Sequence, residues 1–283
     1  MKPLEKFDRL PKPAQKALRN DALPKFAATV SREGIPNVVP LLTASLADET
    51  TLIFARFMIW KTAQNLEANG RITINVIGPG LHSWIIKGEF QEYARQGPYL
   101  EYFNRKTLFR YNAYAGAGEV GVIRVREASG PLPLGLGRSL FYSLLRQPSR
   151  ENHHCSQVQK VMPEVVREKF DRRLAIKYLG FVEDDGSPVA IPCLDLHARD
   201  ANALAFALPR ANGHPLCQLR SGRKMAASVL TLAPVAYQVK GVYIGEDKVF
   251  GSRQGVIRLE ESFTAAPPVP GRRIFPPENS KPE

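Results

Sequence analysis

The chain has 283 residues, of which 44% are hydrophobic and 23% charged, proportions typical of a globular protein with a sizeable core. This composition excludes a disordered chain, a collagen and a coiled coil, and no run of about 18 apolar residues is present to span a membrane. The net charge of +12 favours anionic partners such as phosphorylated cofactors. The basic residues are dispersed, however, and do not alternate with aromatic residues as on an RNA-binding sheet. We therefore expect a cytoplasmic protein that binds neither nucleic acid nor membrane, with no apolar secretion signal at its start.

In chain order, the first predicted element is an amphipathic helix over Lys12–Asp21, followed by a strand and a turn at Glu33-Gly34. The next strand carries Pro36 and Pro40, which predicts an edge or bulged strand because proline cannot donate to the ladder. A third strand ends in Phe54-Ala55, and β-rich segments are predicted over residues 71–77, 83–93 and 121–126. Short strands joined by glycine- and aspartate-containing turns indicate a small closed barrel.

The same pattern occurs twice in the chain. Residues 26–55 align with residues 178–207 at a constant offset of 152, with nine identities in 30 positions, where random pairing gives about two. The register continues from Lys87-Gly88 to Lys240-Gly241 and from residues 121–124 to residues 255–258. A repeat of this length is a duplicated domain rather than a solenoid.

Within residues 61–71, KTAQNLEANGR, the segment Asn65–Gly70 predicts a short helix that closes at Asn69-Gly70. Lys61 and Thr62 then lie at its N-terminal end, where free backbone N–H groups and the helix dipole favour a phosphate. The alternative is structural, with Thr62 as an N-cap residue beside a solvated Lys61. Spacing alone does not separate the two interpretations.

The order of strands, the PNVVP and TLIFA segments and the KTAQNLEANGR segment together resemble the pyridoxamine 5′-phosphate oxidase-like FMN-binding split-barrel family. The resemblance covers residues 26–127 well and the second copy more weakly. It implies a mainly β fold with peripheral helices, in which two FMN-binding split barrels of six strands form a pseudo-dimer within one chain. It also implies that the phosphate lies at Lys61 and Thr62, with the flavin and ribityl chain along two strand ends; the cofactor-binding residues are thus Pro40, Leu41, Leu42, Thr43, Ala55, Arg56, Lys61 and Thr62.

The predicted domains are an N-terminal split barrel (1–129), a helical and loop connector (130–167), a C-terminal split barrel (168–263) and a proline-rich tail (264–283). The resemblance implies an FMN-dependent oxidoreductase with an unknown small-molecule substrate, and a further homodimer is compatible with it. Where the family oxidase has two basic residues at the phosphate helix, this chain has Lys61-Thr62, which argues against vitamin B6 oxidation. The alternative is a non-catalytic protein that binds or carries FMN, haem or a deazaflavin.

The remaining candidates are weaker. At offset 153, His214 and Pro215 replace Lys61 and Thr62, so we expect a degenerate phosphate site in the second copy, with Arg220, Arg223 and Lys224 as a possible rebuilt one. A loop around Tyr111, Tyr114 and the 116–118 segment could cover a flavin ring or form an ordinary surface loop. His153, His154 and Cys155 have no partner at metal-ligand spacing, so no metal is predicted. The sequence shows no nucleophile–base pattern for hydrolysis.

Overall fold

The protein is described by a computed structural model over residues 5–106, 116–134, 159–209, 213–249, 252–267 and 269–277. The strands of the N-terminal half are β1 (Lys6–Phe7), β2 (Lys25–Val30), β3 (Pro36–Pro40), β4 (Ser45–Asp48), β5 (Thr51–Ala55), β6 (Arg71–Ile77), β7 (His82–Ala94) and β8 (Val120–Pro133). Those of the C-terminal half are β9 (Ile176–Val182), β10 (Pro188–Pro192), β11 (His197–Asp200), β12 (Ala203–Ala207), β13 (Lys224–Leu230), β14 (Ala236–Val249), β15 (Ser252–Thr264) and β16 (Arg273–Phe275). The helices are α1 (Lys12–Arg19), α2 (Trp60–Asn69), α3 (Pro98–Arg105) and α4 (Glu164–Asp171), with a short 3-10 helix over Pro215–Gln218.

The two halves repeat one sheet topology. The first sheet runs β3-β2-β6-β7-β8-β5-β4 and the second runs β10-β9-β13-β14-β15-β12-β11, so each of these seven strands of the first sheet has its counterpart seven strands later in the chain. Both sheets are antiparallel and have eight strands rather than the expected six, since the seven-strand path is extended by β1 on β8 and by β16 on β15. The predicted mainly β class, with two split barrels in tandem, is confirmed.

A phenylalanine lies over a glycine at the same place in each sheet. Phe54 of β5 pairs with Gly121 of β8, and Phe206 of β12 pairs with Gly255 of β15. A Cβ atom added to Gly121 would lie 2.1 Å from the Phe54 ring, and one added to Gly255 would lie 2.5 Å from the Phe206 ring. Glycine is therefore required here by close packing, which explains why it recurs in the two copies.

The predicted edge strands and turns are also present. β3 and β10, which begin and end with proline, each lie at one end of a sheet, where no neighbour needs the missing N–H. The turns that precede them place Gly34 at φ 71° and Gly186 at φ 79°, a left-handed conformation that favours glycine.

The interior of the first barrel is continuous with α1. This helix has Pro13 in its first turn, where proline is tolerated, and buries one face through Ala14, Ala17 and Leu18. These residues belong to one hydrophobic cluster with residues of the sheet, including Phe54 and Trp84. Leu66 joins the same cluster, so the core also fixes the position of α2.

The chain separates into two compact units. One unit contains Leu4–Pro133 together with Val182–Ala190, and the other contains the rest of the described chain. Within the first unit, the acidic hairpin of residues 182–190 lies on β6 and β7. Arg71 Nη1 donates to the Asp185 carbonyl (2.7 Å), and Lys87 Nζ donates to Glu183 Oε2 (2.5 Å).

Much of the predicted connector and part of the predicted tail lie outside the described residues, namely 135–158 of the connector and 268 and 278–283 of the tail. The described part of the tail contains β16, which pairs with β15 through Ser262 and Phe275. In the described ranges, no helix is long and apolar enough to cross a membrane.

Candidate functional site

Helix α2 begins one residue before the predicted phosphate position at Lys61. Trp60 is its first residue, and the N-cap residue, Ile59, makes no side-chain capping bond to the first turn. The interpretation of Thr62 as the N-cap is therefore wrong. An uncapped helix start presents backbone N–H groups and a partial positive charge, which together suit an anion. At the other end, Gly70 adopts φ 69° and donates its N–H to the Leu66 carbonyl (2.8 Å), as the Asn-Gly pattern predicts.

Lys61 lines an open cleft beside α2. The cleft has a volume of about 430 Å³ and lies between one side of the helix and the turn that connects β2 to β3. Gln64 and Asn65 line it from the helix, and Arg32 lines it from the turn. Two cations, two side-chain amides and the carboxylates of Glu33 and Glu67 thus border one cavity along the side of α2. The cations and the carboxylates balance in number, so the phosphate prediction rests on the start of the helix rather than on the charge of the cleft.

Thr62 lies on the other side of the same helical turn. It is only 2% exposed, and its hydroxyl accepts a hydrogen bond from Asn37 Nδ2 (3.2 Å). Asn37 also donates to Thr29 Oγ1 (3.4 Å), which in turn accepts from Asn65 Nδ2 (2.9 Å). These four buried side chains, Thr29, Asn37, Thr62 and Asn65, are called the polar network below. The structure thus separates the two predicted phosphate residues, with Lys61 at the cleft and Thr62 in the polar network.

The two predicted strand-end segments lie side by side. Pro40 ends β3, and the chain then turns through Leu41, which is buried, and Leu42, which is 45% exposed. Thr43 Oγ1 donates to the carbonyl of Ala55 (3.4 Å), the buried last residue of β5. The structure therefore brings residues 40–43 and residue 55 together, although neither segment lines the cleft beside Lys61.

Arg56 is held in a charged and aromatic cluster. Its Nη1 donates to Glu119 Oε2 (2.5 Å), its Nη2 lies 3.6 Å from Glu67 Oε1, and its guanidinium lies 4.5 Å from the centre of the Tyr93 ring. The hydrogen bond from Arg56, followed by that from Arg95, lowers the pKa of the Glu119 carboxyl below its usual range. The positive charge of Arg56 is thus compensated by Glu119 and Glu67.

The Tyr93 hydroxyl has no hydrogen-bond partner among the described residues, although it is buried. Burial raises the pKa of Tyr93 to about 12, so the hydroxyl keeps its proton at neutral pH. A buried polar atom without a partner is uncommon, and it often marks a place that a water or a ligand completes. Sequence reasoning missed both Tyr93 and Glu119, because they are 37 and 63 residues from Arg56 and share no motif with it.

The second copy has a different element at the position of α2. A 3-10 helix of four residues, Pro215–Gln218, follows His214, whose Nδ1 accepts the N–H of Leu216 (3.2 Å). The ring nitrogen at the position of Lys61 thus serves as a local cap. Arg223, a candidate for a rebuilt site, lies with its guanidinium 6.0 Å from the centre of the Phe181 ring.

Other predicted candidates fall outside the described residues, namely Tyr111, Tyr114, His153, His154 and Cys155. Gly116 and Gly118 are described, and a Cβ atom at Gly118 would meet nothing within 4 Å. Among the described residues, no group of three or more His, Cys, Asp and Glu side chains is arranged to hold a metal ion.

The family model of pyridoxamine 5′-phosphate oxidase matches residues 11–130 of this chain. This confirms the resemblance expected for the first copy, and the repeated sheet extends the fold to the second. A comparison with curated proteins finds no match.

Similar solved structures include HupZ of Group A Streptococcus (22% identity, covering 43% of this chain and 94% of that chain, TM-score 0.36). An FMN-binding protein from Syntrophomonas wolfei subsp. wolfei is also similar (16% identity, 41% and 82% covered, TM-score 0.36). So is a NimC/NimA family protein from Clostridium acetobutylicum (15% identity, 40% and 78% covered, TM-score 0.32). Similarity at this level says nothing about function.

Proposed function

We propose that this chain, whose residues 11–130 form a split barrel of the pyridoxamine 5′-phosphate oxidase type, binds FMN and is an FMN-dependent oxidoreductase. The observation that carries the proposal is the position of Lys61 within the family match, in the first turn of a helix whose N-terminus has no side-chain cap. A helix start of this kind favours a dianionic phosphate through its N–H groups, its dipole and an adjacent ammonium.

In this proposal, Lys61 and the first amides of α2 hold the phosphate, and Thr62 anchors the same turn from its buried side through its hydrogen bond with Asn37. Residues 40–43 and residues 55–56 follow the ribityl chain and the flavin ring. The unpartnered Tyr93 hydroxyl beside Arg56 is compatible with a polar ligand group near that strand end. When bound, FMN supplies two-electron redox chemistry, while the chain's own residues bind and orient it and exclude water.

Vitamin B6 oxidation is not the proposed reaction. The helix start has one basic residue, Lys61, where the family oxidase has two, and the substrate-binding basic residues of that oxidase have no convincing counterpart in this sequence. The proposed substrate is another small molecule that exchanges two electrons with the flavin.

The test is a flavin titration of the wild type and of Lys61→Ala. A charge-assisted contact to phosphate contributes about 1.5–3 kcal/mol, so we expect Lys61→Ala to weaken FMN binding by about tenfold to a hundredfold. Lys16→Ala, which removes an exposed lysine of α1 that does not line the cleft, is the matched control and should bind FMN like the wild type. Equal FMN affinity in wild type and Lys61→Ala would contradict the placement of the phosphate.

The alternative function is a non-catalytic protein that carries FMN, haem or a deazaflavin. The visible absorption spectrum of the purified protein separates these ligands, because an oxidised flavin, a deazaflavin and a haem have different bands. Anaerobic reduction of the bound flavin by a nicotinamide donor, followed by reoxidation with an added acceptor, would support an enzyme. A flavin that stays oxidised with every two-electron donor would favour a carrier.

A further inference from the structure

We propose that Asn37, which is not among the cofactor-binding residues predicted from the sequence, is a positioning residue for the phosphate end of FMN, acting through the polar network. The proposal rests on the proposed function, since it concerns how the same helix start is held. Its basis is the set of hydrogen bonds that joins β2 and β3 to the inner face of α2.

The pairing of β2 with β3 places two polar side chains beneath α2. Thr29 of β2 and Asn37 of β3 are directly paired across the two strands, so their side chains are neighbours on one face. Asn37 donates to Thr29 and reaches further to Thr62 in the first turn of α2. Thr29 also accepts from Asn65 in the next turn. The two strands therefore hold the helix at two points, three residues apart on one face.

Hydrogen bonds restrict the rotation and sliding of α2 more than apolar contacts do, because hydrogen bonds are directional. All four side chains of the polar network are at least 95% buried, so a small rotation or slide of α2 would leave buried polar groups unpaired, which is costly. Lys61 immediately precedes Thr62 in the same turn and lines the cleft. Fixing Thr62 therefore fixes the direction of Lys61 and of the first N–H groups.

Among its described residues, the second copy of the repeat has neither a counterpart of α2 nor the polar network. At the offsets of the repeat, Thr29 and Asn37 become Phe181 and Val189, which are buried and apolar. Thr62 and Asn65 become Pro215 and Gln218, which begin and end the short 3-10 helix. An apolar pair at this place is thus compatible with the barrel fold. The polar pair, Thr29 and Asn37, occurs in the copy whose helix carries Lys61.

The experiment compares FMN with riboflavin, which has the same ring and ribityl chain but no phosphate. Asn37→Val introduces the residue of the second copy. We expect it to weaken FMN binding about tenfold while the riboflavin affinity changes by less than about twofold. Thr29→Val removes the shared acceptor from a strand position that suits valine and should reduce the preference for FMN in the same direction.

The controls separate positioning from stability. Thr73→Val removes a buried hydroxyl of β6 that donates to the Pro188 carbonyl and is outside the polar network. It should lower the thermal midpoint without changing the ratio of FMN to riboflavin affinity. If the affinities for both flavins fall together in Asn37→Val and Thr29→Val, or if neither changes, the positioning role is overturned. Should Asn37→Val fail to fold, the ratio measured for Thr29→Val decides.

The same titration distinguishes this proposal from the one on which it rests. A wild type that binds FMN no better than riboflavin would overturn the phosphate site itself. A wild type that prefers FMN, with variants that keep this preference in full, would overturn only the role of Asn37.

Discussion

Lys25 is a charged residue placed inside the first barrel. Its side chain is fully buried in β2, and its Nζ donates to the carbonyl of Asn20 (2.8 Å), the residue that caps the C-terminus of α1. Burial lowers the pKa of Lys25 from 10.5 to about 8. The buried Lys177 occupies the same position in the second copy. The bond to a helix C-terminus explains the side chain's direction, because the dipole there favours a cation.

This lowered pKa predicts a pH-dependent stability. Since the folded state has the lower pKa, the unfolded chain binds more protons between about pH 8 and 10.5, and the free energy of unfolding rises with pH across that window. Lys25→Met should therefore be more stable than the wild type at pH 7 by about 1–3 kcal/mol. Urea unfolding of both proteins from pH 7 to 10.5 should show the difference shrinking with pH. A difference that stays constant over this range would contradict the assignment.

Gly121 gives a second prediction for a single residue. Because the Phe54 ring covers it, Gly121→Ala should lower the free energy of unfolding by about 1–3 kcal/mol through overpacking. Gly118→Ala, at a position where an added Cβ atom meets nothing, is the matched control and should change stability by less than about 0.5 kcal/mol. Chemical denaturation measures both. Similar stability for the two variants would mean that Phe54 moves aside without cost.

At the scale of elements, the same place in the two barrels holds α2 in one copy and a four-residue 3-10 helix in the other. The sequence accounts for the difference, since Pro215 supplies no N–H and Leu219 already has extended backbone after four residues. The ten-residue α2 can bury an inner face and line a cleft with its outer face. The shorter element offers no comparable anion site at its start.

The hairpin of residues 182–190 is a second element whose attachment can be tested. Lys87 and Glu183 form an ion pair in which each side chain is 20% exposed, so screening by water is only partial. A double-mutant cycle with Lys87→Met and Glu183→Gln should give a coupling energy of about 1–2 kcal/mol, larger than for an exposed pair. The matched comparison is the cycle for the more exposed pair of Arg126 and Glu89. Equal coupling energies in the two cycles would show that partial burial adds nothing.

At the scale of the whole molecule, the duplication predicts the number of flavins bound. Only the first copy has Lys61 at the start of a helix, while the second has His214 as a local cap followed by Pro215. Loss of a charge-assisted contact of about 1.5–3 kcal/mol together with the helix amides would leave the second site effectively empty. We therefore expect one FMN per chain after full reconstitution. Released flavin measured against protein concentration checks this.

A ratio near two would mean that Arg220, Arg223 and Lys224 rebuild a phosphate site in the second copy. A ratio near zero in a well-folded protein would favour the alternative in which the protein carries haem or a deazaflavin rather than FMN.

Local chemistry determined a large part of this fold from the sequence alone. The nine identities at one offset revealed the duplication, the prolines of β3 and β10 indicated edge strands, and Gly34 and Gly70 marked a turn and a helix end. Each of these signals depends on the conformation of a few neighbouring residues or on comparison of the chain with itself. The predicted phosphate position at Lys61 also followed from local pattern and family resemblance.

Only the tertiary structure decided which side of α2 faces the barrel and what lies beneath it. Spacing placed Lys61 and Thr62 together, but packing against β2 and β3 directs Thr62 to Asn37 and leaves Lys61 at the cleft. The same holds for Arg56, whose partner Glu119 is 63 residues away. Such partners are set by strand order and register, which bring distant residues together, and a single sequence contains no local pattern that records those pairings.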